Sequence, residues 1–187
     1  MYYNFAAKLR LQRNKYNMER EIRIPVTKLR GYLNEVGLTI TTLADLSGIN
    51  RMHLSKCLAG EVDQRNGATR TLSDDNLVHL QDALHELSLR LKYIFIFYNS
   101  DLEVVKRNGK RYCKDCVDQI KHELSPYFAV LTFMQYALGW TRSKVRNVMD
   151  IRDGFAFGNI SQDDVNRINV MWAGIAAQLD RLTLVKG

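Results

Sequence analysis

The sequence predicts a mainly helical protein, built as two similar helical bundles in tandem, each preceded by a small β-hairpin. Three observations lead to this prediction. Apolar residues recur at helical spacing along much of the 187-residue chain, glycines follow several of these stretches, and the order of stretches in residues 1–98 is repeated in residues 99–187. We therefore place one domain at residues 1–98 and the other at residues 99–187.

The composition is that of an ordinary soluble globular protein with an excess of positive charge. Apolar residues make up 46% of the chain and charged residues 25%. Lys and Arg number 27 against 20 Asp and Glu, a net charge of +7, which favours a polyanionic partner, although basic clusters can also serve solubility alone. The cations gather within residues 8–30 and in two later clusters: Lys106, Arg107, Lys110, Arg111 and Lys114, and Arg142, Lys144, Arg146 and Arg152.

Three features argue against secretion and membrane insertion. The first 15 residues carry scattered basic residues and no sustained apolar core, unlike a signal peptide. The 3 cysteines are an odd number, which does not suit a disulfide framework. The longest apolar run, Tyr93 to Tyr98, is too short to cross a bilayer and predicts a buried strand or a helix end. We expect a cytoplasmic protein with no membrane partner.

The first bundle begins with a predicted basic hairpin and continues with a helix. Alternation around Asn14-Lys15 favours the hairpin, between Lys8 and Pro25. The helix has one apolar face and is ended by Gly37; the face consists of Val26, Leu29, Leu33 and Val36.

Residues 39–60 predict two short helices folded against each other. Thr39 caps the first helix, Gly48 supplies the turn, and Asn50 caps the second. The buried face of the second helix consists of Leu54, Cys57 and Leu58. Its exposed face, next to the helix N-terminus, carries the side chains that suit a DNA groove, namely Arg51, Met52, Ser55 and Lys56. The alternative is a two-helix corner that only packs.

This stretch resembles the helix-turn-helix of the Cro and phage-repressor (XRE-like) family. The matching positions are Leu43-Ala44, Gly48-Ile49, Leu54 and Gly60, and the later helix from Leu72 to Leu91 is similar to the last helices of that family. The resemblance implies that the second helix enters the major groove of double-stranded DNA and that Asn50 contacts a phosphate. The sequence departs from the family at Ile40, where a phosphate-binding glutamine is common, and at Ala59, where asparagine is usual.

The segments after Gly60 complete the first bundle and open the second. Arg65 and Arg70 lie in a polar loop that either contacts the DNA backbone or is flexible in solvent. Ser73 caps a helix whose core positions are Leu77, Leu80, Leu84, Leu87 and Leu91. Asn108-Gly109, between alternating residues, predicts a hairpin over residues 102–112.

The second half repeats the first. Gly48 corresponds to Gly139 at an offset of 91, and Ser73 corresponds to Ser161 at an offset of 88; chance similarity between two helical segments is the alternative. The equivalent exposed face would be Arg142, Ser143, Arg146 and Asn147. Gln135 stands where Ala44 stands and disfavours close helix packing, so the second copy could instead mediate packing or a homodimer.

Cys113-Lys-Asp-Cys116, with His122 nearby, raises the question of a zinc site or a redox pair. A structural zinc site needs four ligands, and a convincing fourth is missing. A redox pair needs a thioredoxin-like setting, which the surroundings do not suggest. We expect two partly buried thiols, with no metal and no cofactor. Since no catalytic constellation or phosphate-binding glycine loop is recognisable, we expect no enzymatic activity.

The predicted function is sequence-specific binding of double-stranded DNA by a repressor-like transcriptional regulator. Base contacts come from the two exposed faces, and phosphate contacts come from Asn50, Arg13, Arg23, Arg65, Arg70, Thr141 and Lys144. The alternative is a protein-interaction or assembly role, or an accessory role in DNA processing such as plasmid replication, excision or conjugation.

Overall fold

The computed structural model describes residues 21–105, 111–113, 115–149 and 160–186, which form a mainly helical protein with four short strands in these ranges. The prediction of a mainly helical fold is confirmed. The elements in chain order are β1 (Ile22–Pro25), α1 (Val26–Val36), α2 (Ile40–Ser47), α3 (Arg51–Ala59), α4 (Asp74–Lys92), β2 (Glu103–Val105), β3 (Arg111–Cys113), α5 (Asp115–Leu124), α6 (Val130–Thr132, continued by the π-helical Phe133–Ala137), α7 (Arg142–Met149), α8 (Gln162–Leu179) and β4 (Leu182–Val185).

The helices of the first half begin and end where the sequence predicts. In α1 the four predicted apolar residues are buried, and Gly37 ends the helix with a φ of 73°. The Ser73 side chain accepts a hydrogen bond from the Asn76 N–H and so caps α4. Four of the five predicted core leucines of α4 are buried, and Leu77 is half-buried.

The described helices of the second half follow the same order, with one departure. Val117, Ile120 and Leu124 are buried in α5. Ser161 caps α8 in a capping box with Asp164. The departure is α6, where the stretch that contains Gln135 is π-helical, whereas the corresponding α2 is an ordinary α-helix.

The strands pair in two ways. β1 lies parallel to β4, with a register that runs from Ile22 opposite Leu182 to Pro25 opposite Val185. The strand predicted before Pro25 is therefore present, but its described partner is β4, and the other half of the predicted basic hairpin lies outside the described residues. β2 and β3 form the predicted second hairpin, with Glu103 opposite Cys113. Its Asn108-Gly109 turn also lies outside the described residues.

The two long helices, α4 and α8, pack against each other at the centre of the fold. The Ser88 hydroxyl donates to the Ala176 carbonyl at 2.8 Å. Because the serine side chain is short, this hydrogen bond requires the two helix backbones to lie close together. Near the C-terminal ends the Lys92 ammonium lies 2.9 Å from the Asp180 carboxylate. The hydrogen bond from Lys92 holds the pKa of Asp180 below its usual value, although burial opposes the shift.

The chain that follows each long helix is held by an amide side chain of the other long helix. The Gln81 amide donates to the Leu182 carbonyl at 2.6 Å and accepts from the Leu184 N–H at 2.8 Å. The Asn169 amide accepts from the Ile96 N–H at 3.0 Å and donates to the Ile96 carbonyl at 2.8 Å. Gln81 and Asn169 are 88 residues apart, and so are Ile96 and Leu184. These contacts tie residues 93–98 to the second half and residues 182–185 to the first; the domain boundary at residues 98 and 99 stays a prediction.

Tyr93 ends α4 in a helical conformation, and residues 94–98 belong to no helix or strand of the described residues, so the predicted buried segment is only partly correct. Ile96 is fully buried, whereas Tyr93, Phe95 and Phe97 are 87%, 54% and 65% exposed. From Ile94 to Tyr98 less exposed and exposed side chains alternate, as in an extended chain, in which successive side chains point to opposite sides. Both sides of the segment carry apolar side chains, but only the side with Ile96 packs into the hydrophobic core.

The halves are also joined between α1 and α2. Leu38 forms an antiparallel bridge with Phe128, and the Ala129 N–H donates to the Gly37 carbonyl at 2.8 Å. The Thr42 hydroxyl adds a hydrogen bond to the Pro126 carbonyl at 3.0 Å. None of the helices in the described ranges combines the length and the apolar character that crossing a bilayer requires.

Candidate nucleic-acid interface

The segment from Thr39 to Gly60 has the local geometry that its sequence predicts. The Thr39 hydroxyl accepts from the Thr42 N–H at 3.2 Å and caps α2. Gly48 has a φ of 68°, which turns the chain sharply into α3. The Asn50 side-chain oxygen accepts from the Met52 N–H at 3.0 Å and from the His53 N–H at 3.2 Å. The start of α3 is therefore fixed by its own cap.

One face of α3 is held tightly in the core. Leu54, Cys57 and Leu58 are each at most 1% exposed. Ala44 of α2 is also buried, and its small side chain lets α2 and α3 approach each other closely. Burial raises the pKa of the Cys57 thiol, against a smaller opposite effect of Arg70, so the thiol stays protonated. Because this face is fixed, the opposite face is held in one orientation.

The opposite face of α3 carries the four predicted base-contacting side chains. Arg51 and Met52 are exposed, and Met52 is 67% exposed. Ser55 and Lys56 are half-buried. The helix contains no acidic residue, so its whole exposed side is neutral or cationic. Such a surface offers hydrogen-bond donors, which can bond to acceptor atoms on base edges. It also offers an apolar side chain, which can contact the methyl group of thymine.

A groove of about 730 Å³ lies beside this face, between the two halves of the chain. The first half lines it with Thr41, Arg51 and Ser55, and the second half lines it with Thr132 and Tyr136. Thr41 and Thr132 are 91 residues apart, which is the offset of the repeat. The first turns of two corresponding helices, α2 and α6, therefore face one groove.

The second predicted face, on α7, is exposed where it is described. Arg142, Ser143 and Arg146 are exposed, and the side chain of Asn147 lies outside the described part of the chain. The Thr141 hydroxyl accepts from the Lys144 N–H at 3.1 Å, so Thr141 serves as the cap of α7. Thr141 lies at the offset of 91 from Asn50, the cap of α3.

Lys144, a predicted phosphate contact, has partners within the protein. Its ammonium forms an ion pair with the nearly buried Asp164 carboxylate and lies 4.2 Å from the centre of the Trp140 ring. Since the charge is already neutralised within the protein, Lys144 links α7 to α8. Its contact with a DNA phosphate stays a prediction.

The remaining predicted phosphate contacts fall into two groups. Arg65 is exposed, whereas Arg23 pairs with Glu21 at 3.3 Å and Arg70 pairs with Asp63 at 3.0 Å. Such partly exposed pairs are weak, so a phosphate can compete for the guanidinium. The loop that contains Arg65 and Arg70 is closed by backbone hydrogen bonds and by the bridge between Val62 and Thr69. Arg13 lies outside the described residues.

Of the two cysteines in the predicted pair, the structure describes the side chain of Cys116. The Cys116 thiol is buried and donates to the Phe97 carbonyl at 3.0 Å, and His122 is exposed. The side chain of Cys113 lies outside the description. Among the residues that are described, no group of three or more His, Cys, Asp or Glu side chains could hold a metal ion. The absence of a metal stays a prediction.

Sequence reasoning missed the residues that line the groove from the second half. Thr132 and Tyr136 show no motif of their own, but the offset of 91 from Thr41 could have identified Thr132. Comparison with models of known protein families, with curated proteins and with solved structures gives no match. The resemblance to the Cro and phage-repressor family therefore rests on the residues quoted above.

Proposed function

We propose that this protein binds double-stranded DNA in a sequence-specific manner, as a repressor-like transcriptional regulator, with α3 in the major groove. The observation that carries the proposal is the division of α3 into two faces. One face is fixed in the core by three fully packed residues, and the other presents Arg51 and Met52 to solvent beside a capped N-terminus. A rigidly held helix with exposed donors near its N-terminus is what base recognition requires.

We further propose that the chain contains two helix-turn-helix units in tandem, the second on α6 and α7. What supports this is the recurrence of contacts at corresponding positions. Gln81 and Asn169 hold the chain after the other long helix, and Ser88 contacts Ala176, its own counterpart at the offset of 88. A contact between a residue and its counterpart is expected near an approximate twofold axis. Two units related by such an axis can face two successive turns of one duplex.

The groove between the halves supports a shared DNA-binding surface. Arg51 and Ser55 line the groove together with Thr132 and Tyr136, so hydroxyl groups of the second half lie beside the base-contacting face of the first. Hydroxyl groups commonly donate to phosphate oxygens and set the register of a protein on DNA. The rival proposal is that α6 and α7 mediate packing or a homodimer instead of binding DNA. The π-helical stretch around Gln135 favours it, because α6 there departs from the ordinary α-helix of α2.

Arg51→Ala is expected to weaken binding to the specific site by about 1–3 kcal/mol and to relax base preference at particular positions, because a bidentate contact to a base edge is lost. The specific site would first be selected from a random duplex library. Competition titrations with specific and scrambled duplexes measure the effect. Arg65→Ala is the matched control, since an exposed loop arginine should lower affinity for both duplexes alike. Equal losses on both duplexes for Arg51→Ala would remove the base-contacting assignment.

Arg146→Ala separates the tandem arrangement from the assembly alternative. If α7 contacts bases, one chain should bind one asymmetric site of two unlike half-sites about 34 Å apart, and Arg146→Ala should weaken binding by about 1–3 kcal/mol. Sedimentation of the complex gives the number of chains per duplex, and a titration gives the affinity. Two chains on a palindrome, together with an unchanged affinity for Arg146→Ala, would assign the second half to dimerisation.

A further inference from the structure

Three aromatic side chains form an exposed surface away from α3. Tyr93, Phe95 and Phe97, here called the aromatic strip, are exposed at the end of α4 and in the segment that follows it. The Phe97 backbone is fixed by the Gln119 amide, which accepts from its N–H at 3.0 Å and donates to its carbonyl at 3.2 Å. Asn169 fixes the neighbouring Ile96 in the same way. Side-chain hydrogen bonds therefore fix the backbone of the strip at Ile96 and Phe97.

The fold itself does not require aromatic residues at these positions. At the offset of 88, the positions of Tyr93, Phe95 and Phe97 correspond to Arg181, Thr183 and Val185. The buried positions are apolar in both halves, since Ile96 and its counterpart Leu184 are both buried. The outward aromatic residues are therefore a property of this segment alone. Large exposed apolar side chains grouped in this way mark an interaction surface.

We propose that the aromatic strip binds single-stranded nucleic acid by stacking its rings on the bases. Phe95 and Phe97 meet edge to face, with centroids 4.9 Å apart, and both side chains are more than half exposed, so each ring offers surface on which a base can stack.

Two cations beside the strip favour a nucleic acid over a purely apolar partner. The chain carries a net charge of +7, and Arg90 and Lys92 directly precede the strip. Both are partly exposed and are paired with acidic groups, Glu86 and Asp180, in contacts that a phosphate chain can replace. Exposed aromatic rings beside cations are the combination with which proteins bind single strands without strict sequence preference. This activity does not depend on the function proposed for α3.

The test compares the full chain with a double variant in which two residues of the strip are replaced by those at the corresponding positions of the second half. Phe95→Thr combined with Phe97→Val places at these positions the residues that β4 carries at the corresponding ones. We expect the double variant to bind a fluorescein-labelled oligo(dT) of about 20 nucleotides roughly tenfold more weakly than the unchanged protein, by fluorescence anisotropy. Its affinity for a duplex of the same length should not change. Val78→Ala removes an exposed apolar side chain near the opposite end of α4; it is the control and should leave oligo(dT) binding intact.

Two results would overturn the proposal. One is an unchanged oligo(dT) affinity in the double variant, or a loss of equal size on the duplex. The other is a dimer of the unchanged protein that the double variant dissociates in sedimentation while oligo(dT) affinity stays the same, because the strip would then be a contact between copies. Circular dichroism of both proteins shows whether the variant is folded.

Discussion

Gly37→Ala is expected to destabilise the protein by about 2–5 kcal/mol, since it combines two costs. Gly37 has a φ of 73°, which is unfavourable for any residue with a Cβ atom. A Cβ atom there would also lie 2.7 Å from the Phe133 nitrogen and 2.8 Å from its Cα atom. Both are backbone atoms of α6, so relief requires the two halves to move apart.

Gly48→Ala is the matched control for this clash. Gly48 has nearly the same φ, 68°, but a Cβ atom there would have no neighbour within 4 Å. We expect it to cost about 1–2 kcal/mol, from backbone strain alone. Urea denaturation measures both variants, and the difference between them isolates the close approach of α1 and α6. Equal destabilisation by the two substitutions would show that the halves are not packed so closely at Gly37.

Asn169→Ala is expected to cost about 2–4 kcal/mol, because three groups lose their hydrogen-bond partner. These groups are the Ile96 N–H, the Ile96 carbonyl and the Trp172 indole N–H, which donates to Asn169 at 3.2 Å. Asn169 is buried, so water cannot easily replace the amide. Urea denaturation followed by tryptophan fluorescence measures the loss.

Gln81→Ala tests the same contact at the corresponding position of α4. Gln81 is half-buried and serves two backbone groups, at Leu182 and Leu184, which water can reach more easily. Its removal should cost about 1 kcal/mol, less than the removal of Asn169. A larger loss for Gln81→Ala than for Asn169→Ala would contradict this account of how the two amides stabilise the fold.

The sequence was informative wherever a structure is decided by neighbouring residues. Gly37, Gly48 and Asn50 set helix ends through backbone conformation and local hydrogen bonds, so these boundaries were predictable. The offsets of 91 and 88 likewise matched the order of the described helices. The four predicted residues of α3 lie on one face because helical spacing alone places them there.

Contacts distant in sequence were not predictable. The pairing of β1 with β4, the exposure of alternate residues in the segment 93–98 and the pairing of Lys144 with Asp164 all depend on how the halves are arranged. Periodicity shows that a segment has an apolar face but not what covers it. The run from Tyr93 to Tyr98 is apolar on both sides, so its pattern could not indicate which side is buried.

The pairing of β1 with β4 has a consequence for synthesis of the chain. Ile22 lies opposite Leu182, so this sheet cannot form until about 160 residues after its first strand have left the ribosome. Closing so long a loop is entropically costly, and contacts of this kind slow folding. The edge of β1 that pairs with β4 therefore lacks this partner until residues 182–185 have been translated. During that interval the apolar side chains of Ile22 and Ile24 lack part of the packing that they have in the folded protein.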